Sequence, residues 1–110
     1  MQMKPKRPFM HFLENDKSLD ELCRKYNVSE MFIFGSAIRS DFNPEKSDID
    51  IMVSFKKMTP AEHADSYFGL LEELERMFGR SVDLLEKKAI KNPYLKRNID
   101  DSGVMVYVSA

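Results

Sequence analysis

Apolar residues recur along this chain with two spacings, helical and alternating, and the order of the two lays out the elements. Ser18-Leu19-Asp20-Glu21 has the spacing of a capping box and predicts a helix that runs to about Tyr26, with Leu19, Cys23 and Tyr26 on one side. Met31 to Phe34 is a short unbroken apolar run, which suits a buried strand. From Asp48 to Phe55 the pattern alternates: Asp48, Asp50 and Met52 fall on one face and Ile49, Ile51 and Val53 on the other, as in a half-buried strand. Thr59-Pro60-Ala61-Glu62 supplies an N-cap, a proline at the first helical position and a reciprocal glutamate. The helix it opens carries Ala61, Ala64, Phe68, Leu71, Leu74 and Phe78 as its expected core stripe, and Gly79 ends it. Ser81 to Glu86 reads as a strand with Val82 and Leu84 inward and Asp83 outward. Asn92-Pro93 opens a short helix that Gly103 closes, and Val104 to Val108 is a final strand.

These elements predict an α/β (α+β) fold, a mixed sheet of about four strands with packed helices. The periodicity leaves open whether the helices cover one face of the sheet or both. Residues 1 to about 17, with Lys4, Lys6, Arg7, Pro5 and Pro8, read as a loose arm with a short helical turn around Phe9 to Asn15. A chain of 110 residues is expected to form a single domain over 1–110.

Charge changes this picture in one respect. The formal net charge is -1, so no global field draws the protein to nucleic acid or to a membrane surface. Any polyanionic ligand is therefore expected to be held by local groups. The apolar runs are too short to span a bilayer, and no apolar segment of signal-peptide type follows the basic N-terminus. The lone Cys23 cannot form an internal disulfide, which fits a reducing cytoplasm, and its spacing marks it as a small core residue. His11 and His63 have no partner at metal-ligand spacing and are expected at the surface, and the eight methionines are read as core gap-fillers.

Three features carry candidate chemistry. Gly35-Ser36 directly follows a predicted strand and precedes Ala37 to Ser40, a segment able to start a helix; glycine admits close backbone approach, and helix-start amides attract anions. Asp48-Ile49-Asp50 aims two carboxylates the same way along a strand, roughly 6 to 7 Å apart at Cα, an arrangement suited to magnesium shared with phosphate oxygens. Asp83 points outward from the next strand and joins the pair if the two strands are neighbours. Each alone has an ordinary reading: a plain turn, a solvated strand face, an exposed acid. Together, three acids suffice for two metal ions, one to activate an attacking hydroxyl and one to grip a triphosphate.

The run FGSAIRSDFNPEKSDIDIMVSF, followed by SVDLLEKKAIKNPYLKRNID, resembles the nucleotidyltransferase superfamily of the polymerase-beta type. It is most similar to the minimal members that serve as the antitoxin half of HEPN/MNT toxin–antitoxin pairs. The resemblance implies that Asp48, Asp50 and Asp83 are catalytic and bind two Mg2+ ions, and that Gly35, Ser36 and Arg39 contact the nucleotide, with ATP as substrate. It further implies transfer of AMP to a hydroxyl, a tyrosine, of a partner HEPN toxin. Eleven residues separate Ser36 from Asp48, one more than is common in that family, which bears on how the phosphate grip sits relative to the metals.

Little of the chain is left over for an acceptor-binding domain, so the acceptor is expected on another chain, a partner or a second copy. Two other readings stay open: a binding antitoxin that silences its partner by occlusion alone, and a transferase acting on a small molecule of aminoglycoside type. The charged stretch Glu86-Lys87-Lys88, with Lys91, Lys96 and Arg97 nearby, reads as a solvated face, part of which could border the acceptor, and Tyr94 is explained by packing as well as by function.

Overall fold

The computed structural model describes residues 17–34 and 48–109. The N-terminal arm and the whole connection from Gly35 to Ser47 lie outside the described residues, so the expected helical turn near Phe9 and the Ala37 to Ser40 segment are not addressed. Four strands, β1 (Val28–Phe34), β2 (Ile49–Phe55), β3 (Val82–Glu86) and β4 (Val104–Val108), form one sheet in the order β3-β2-β1-β4. β1 runs antiparallel to both β2 and β4, whereas β2 and β3 are parallel. Parallel neighbours need a crossover, which is supplied by α2 (Pro60–Phe78); α1 (Lys17–Lys25) precedes β1 and α3 (Pro93–Ser102) precedes β4.

The question left open by periodicity is settled by the burial pattern. Leu19 and Cys23 of α1 and Leu70 and Leu74 of α2 share one cluster with Met31, Ile33, Ile49, Ile51, Val53 and Leu84. On the opposite face Phe34 and Met52 pack against Ile99 of α3. Helices therefore cover both faces. Burying several aliphatic side chains at about 1.5 to 3 kcal/mol each makes the two-sided β2 strand the centre of the fold.

The helix boundaries follow their caps. Thr59 accepts a hydrogen bond from Glu62 N–H, and Glu62 Oε1 accepts one from Thr59 N–H, closing the expected capping box, worth about 1 kcal/mol. Gly79 ends α2 at φ 67°, a left-handed conformation that glycine adopts at little cost. Asn92 Oδ1 accepts from Tyr94 and Leu95 N–H at the start of α3. Three details differ from expectation. Ser18 is inside α1, which already includes Lys17, so it is not the cap. β1 begins three residues before Met31, because pairing with both neighbours extends it through the polar Ser29 and Glu30. On α2 the buried line is Ser66, Leu70 and Leu74, while Ala61, Ala64 and Phe68 are exposed, Phe68 by 64%.

The rotation of α2 has a polar cause. β3 lies at the sheet edge, where unpaired backbone groups invite unwanted pairing. Tyr67 O–H donates to Leu84 C=O at 2.6 Å, and Glu75 accepts from Val82 N–H at 3.1 Å. Turning those side chains toward β3 carries Phe68 outward.

α1 meets α2 through one close approach. A Cβ at Gly69 would stand 2.6 Å from the Tyr26 ring, and the Tyr26 hydroxyl donates to Glu73, which also holds Lys25 Nζ at 2.9 Å. The Tyr26 and Lys25 hydrogen bonds hold the Glu73 carboxyl below its ordinary value of 4.5. Its bond to Glu73 first, then burial, raises the Tyr26 phenol, and the same carboxylate raises Lys25.

Gly69→Ala should gain about 1 kcal/mol of helix propensity but lose more, on the order of 1 to 3 kcal/mol, to the Tyr26 ring. Denaturant unfolding should show net destabilisation in the parent and net stabilisation in a Tyr26→Ala background; a gain in both would remove the contact from the account. A depressed Glu73 contributes stability that is present above its ordinary 4.5 and lost as pH falls through the lower folded value. The raised Tyr26 and Lys25 contribute below their ordinary 10.0 and 10.5 and lose it as pH rises through the folded values. Glu73→Gln should therefore flatten stability against pH at both the acid and the alkaline limits, followed by thermal unfolding across the range.

Candidate active site

The parallel pairing of β2 and β3 brings two of the expected acids together. Asp50 and Asp83 are register partners, and Phe34, the last residue of β1, is the partner of Asp50 on its other side. In a parallel pair, partners at one register position project from the same face, here the face that carries Met52 and Phe34 and is covered by α3. Asp50 is half-buried and Asp83 exposed, so the pair spans the border between core and solvent. Asp48 is exposed immediately before β2, two residues from Asp50.

The strand ends are fixed from below by the core. Ile49 and Ile51, on either side of Asp50, are fully buried, and Val82 and Leu84 enclose Asp83 in the same way. Ile49 N–H also donates to Ser81 C=O at 3.2 Å, which continues the ladder to the level of Asp48. A one-residue slip would send the acids into the core and the aliphatics into water, so the apolar pattern enforces the acid register.

Gly35, Ser36 and Arg39 lie outside the described residues. In sequence Gly35 directly follows Phe34, the register partner of Asp50. Among the described residues no group of three or more His, Cys, Asp or Glu side chains is gathered to hold a metal ion. What the sheet supplies is two hard carboxylate donors side by side and a third acid two residues away. That donor chemistry fits magnesium, which needs one or two protein carboxylates when phosphates complete its shell.

Other residues take places that periodicity did not show. His63, expected at the surface, is half-buried: its Nε2 is 2.7 Å from Glu86 Oε1 and its ring packs edge-on against Phe55. The pairing arises because the first turn of a crossover helix lies near the end of the strand that follows it, a contact with no sequence period. Tyr67 was absent from the expected stripe; burial, then the negative charges of Glu86 and Asp83, raise its phenol, which stays protonated as a donor to β3. Burial pushes the Cys23 thiol up to about 12, in keeping with an inert core residue. Tyr94 is 84% exposed, so packing does not account for it, and Met105 is exposed rather than filling a core gap.

Comparison with known proteins gives the family and the fold. Residues 16–106 match the family described as nucleotidyltransferase domain. A relative in Methanocaldococcus jannaschii, described as a protein adenylyltransferase, is 42% identical over 84 residues, covering 76% of this chain and 80% of its own length. The protein adenylyltransferase MntA of Thermococcus cleftensis is 34% identical over 76 residues, 69% of this chain and 73% of its own. In fold the chain is similar to a minimal nucleotidyltransferase (TM-score 0.66, 22% identity, covering 94% of this chain and 98% of the other). It is similar too to the structure of a tri-AMPylated Shewanella oneidensis HEPN toxin in complex with MNT antitoxin (TM-score 0.59, 20% identity, 90% and 72%). Among the described residues no helix is long and apolar enough to cross a membrane. With its paired strand acids and a match that spans most of its length, the chain belongs to the nucleotidyltransferase family.

Proposed function

We propose that this nucleotidyltransferase moves AMP from ATP to a hydroxyl, a tyrosine, of a partner HEPN toxin and so acts as its antitoxin. The observation that carries the reading is the register pairing of Asp50 with Asp83, in a chain 42% identical to a relative described as a protein adenylyltransferase. The HEPN partner is suggested by the complexes formed by proteins of the same fold.

In this reading the acceptor oxygen forms a bond to the α-phosphorus of ATP while the bond to pyrophosphate breaks, and the acceptor proton passes to a carboxylate or to solvent. Mg2+ held by Asp48, Asp50 and Asp83 would neutralise phosphate charge and lower the acceptor's pKa. Asp83, on the exposed edge strand, borders the side from which an acceptor can approach. Gly35 and Ser36 would present amides and a hydroxyl to the triphosphate, with Arg39 as a further cation. Positioning and charge neutralisation dominate such chemistry, so losing one carboxylate is costly.

With magnesium and ATP, the partner toxin should gain the mass of one or more AMP groups, and Asp50→Asn should lower the rate by orders of magnitude while leaving the complex intact. Asp83→Asn should likewise slow transfer. An unmodified partner whose toxicity is still suppressed by Asp50→Asn would favour occlusion instead, the reading toward which the long Ser36 to Asp48 connection leans. AMP on a small molecule with the protein alone would favour a drug-type acceptor.

A further inference from the structure

The two strands that pair Asp50 with Asp83 are each followed by a lysine doublet. Val53 pairs with Glu86, and past that pair Lys56-Lys57 beyond β2 and Lys87-Lys88 beyond β3 line one cavity at the other end of the same two strands. Asp50 and Phe55 are five residue steps apart along β2, roughly 16 Å. Between the doublets lies a cavity of about 490 Å3 with all four lysines on its lining. That volume lies within the range of small-ligand pockets, about 300 to 1,000 Å3.

Phe55, Met58 and Pro60 give this cavity an apolar side, and His63 with Glu86 forms its inner polar wall. All four lysines are exposed, and Lys87 alone among them forms an ion pair among the described residues, at 3.3 Å from Glu30. Of the nearby carboxylates, Glu86 is engaged by His63 and Glu62 by the Thr59 N–H. The place is also where the carboxyl ends of two parallel strands meet the N-terminus of the 19-residue crossover helix α2. Open α/β sheets seat ligands outside the carboxyl ends of parallel strands, and a helix start adds partial positive charge. In a chain of net charge -1, this is a local concentration of cations around a concave surface.

We propose that this cavity is a second anion site, separate from the acid end, which takes a diphosphate group on Lys56, Lys57, Lys87 and Lys88. The diphosphate is free pyrophosphate or is carried by a nucleotide whose organic part lies against Phe55 and Met58. The concave shape favours such a small ligand over the acidic surface of another protein. The site does not depend on transferase activity, and its test does not measure it.

Titration calorimetry of the full chain in EDTA, with pyrophosphate and with ADP, tests the site without the metal chemistry of the acid end. Binding should persist in Asp50→Asn, fall at least tenfold in Lys57→Gln/Lys88→Gln, and weaken from about 50 to about 300 mM salt as screening grows. Tighter binding of ADP than of pyrophosphate would identify the nucleotide as the source, and equal binding the free diphosphate. The proposal is overturned if neither probe binds, if the folded lysine variant binds as the parent does, or if an acidic peptide of equal charge displaces both probes more readily than they displace each other.

Discussion

The paired acids and the lysine-lined cavity are both hung on the ladder between β2 and β3, and that ladder is held by burial rather than by its polar residues. Ile49, Ile51 and Val53 are sealed beneath α1 and α2, Met52 is sealed on the opposite face, and Val82 and Leu84 complete the layer on β3. Because strand side chains alternate with a period of two, fixing these aliphatics leaves no freedom for the residues between them. Asp50 and Asp83 are adjacent because their apolar neighbours must be.

The crossover helix reinforces the ladder from the edge. Tyr67, Glu75 and His63, spread along α2, each engage a group on β3. An edge strand of five residues would otherwise offer free backbone groups to other chains. Here α2 takes up those of Val82 and Leu84, and Phe68 is left in solvent as a consequence. The same register then polarises the strand pair. Two carboxylates stand as register partners toward one end, and lysines line a cavity at the other.

Much of this was legible from residues alone. The capping box at Thr59, the stop at Gly79, the alternation of β2 and the inward Val82 and Leu84 are local signals, and local signals survive folding when tertiary contacts agree with them. The nearness of Asp50 and Asp83 was legible only conditionally, since alternation gives a side chain's face and never its neighbouring strand. The α2 stripe went astray at Ala61, Ala64 and Phe68 because counting apolar residues ignores polar side chains with a backbone group to satisfy. Periodicity sends His63 to the surface for a similar reason: its partner lies 23 residues away, beyond any helical or strand period.

Local pattern alone settles the order of the elements, the ends of α2, the start of α3, the faces of β2 and β3 and the kinds of donor available, because these depend on contacts within a few residues. The order β3-β2-β1-β4, the covering of both faces, the side-by-side acids and the meeting of the two lysine doublets were decided only by the tertiary structure. Each of those joins positions well beyond the reach of a helical or strand period, and which distant strands pair is fixed by how the whole apolar surface is buried at once, a quantity no local pattern contains.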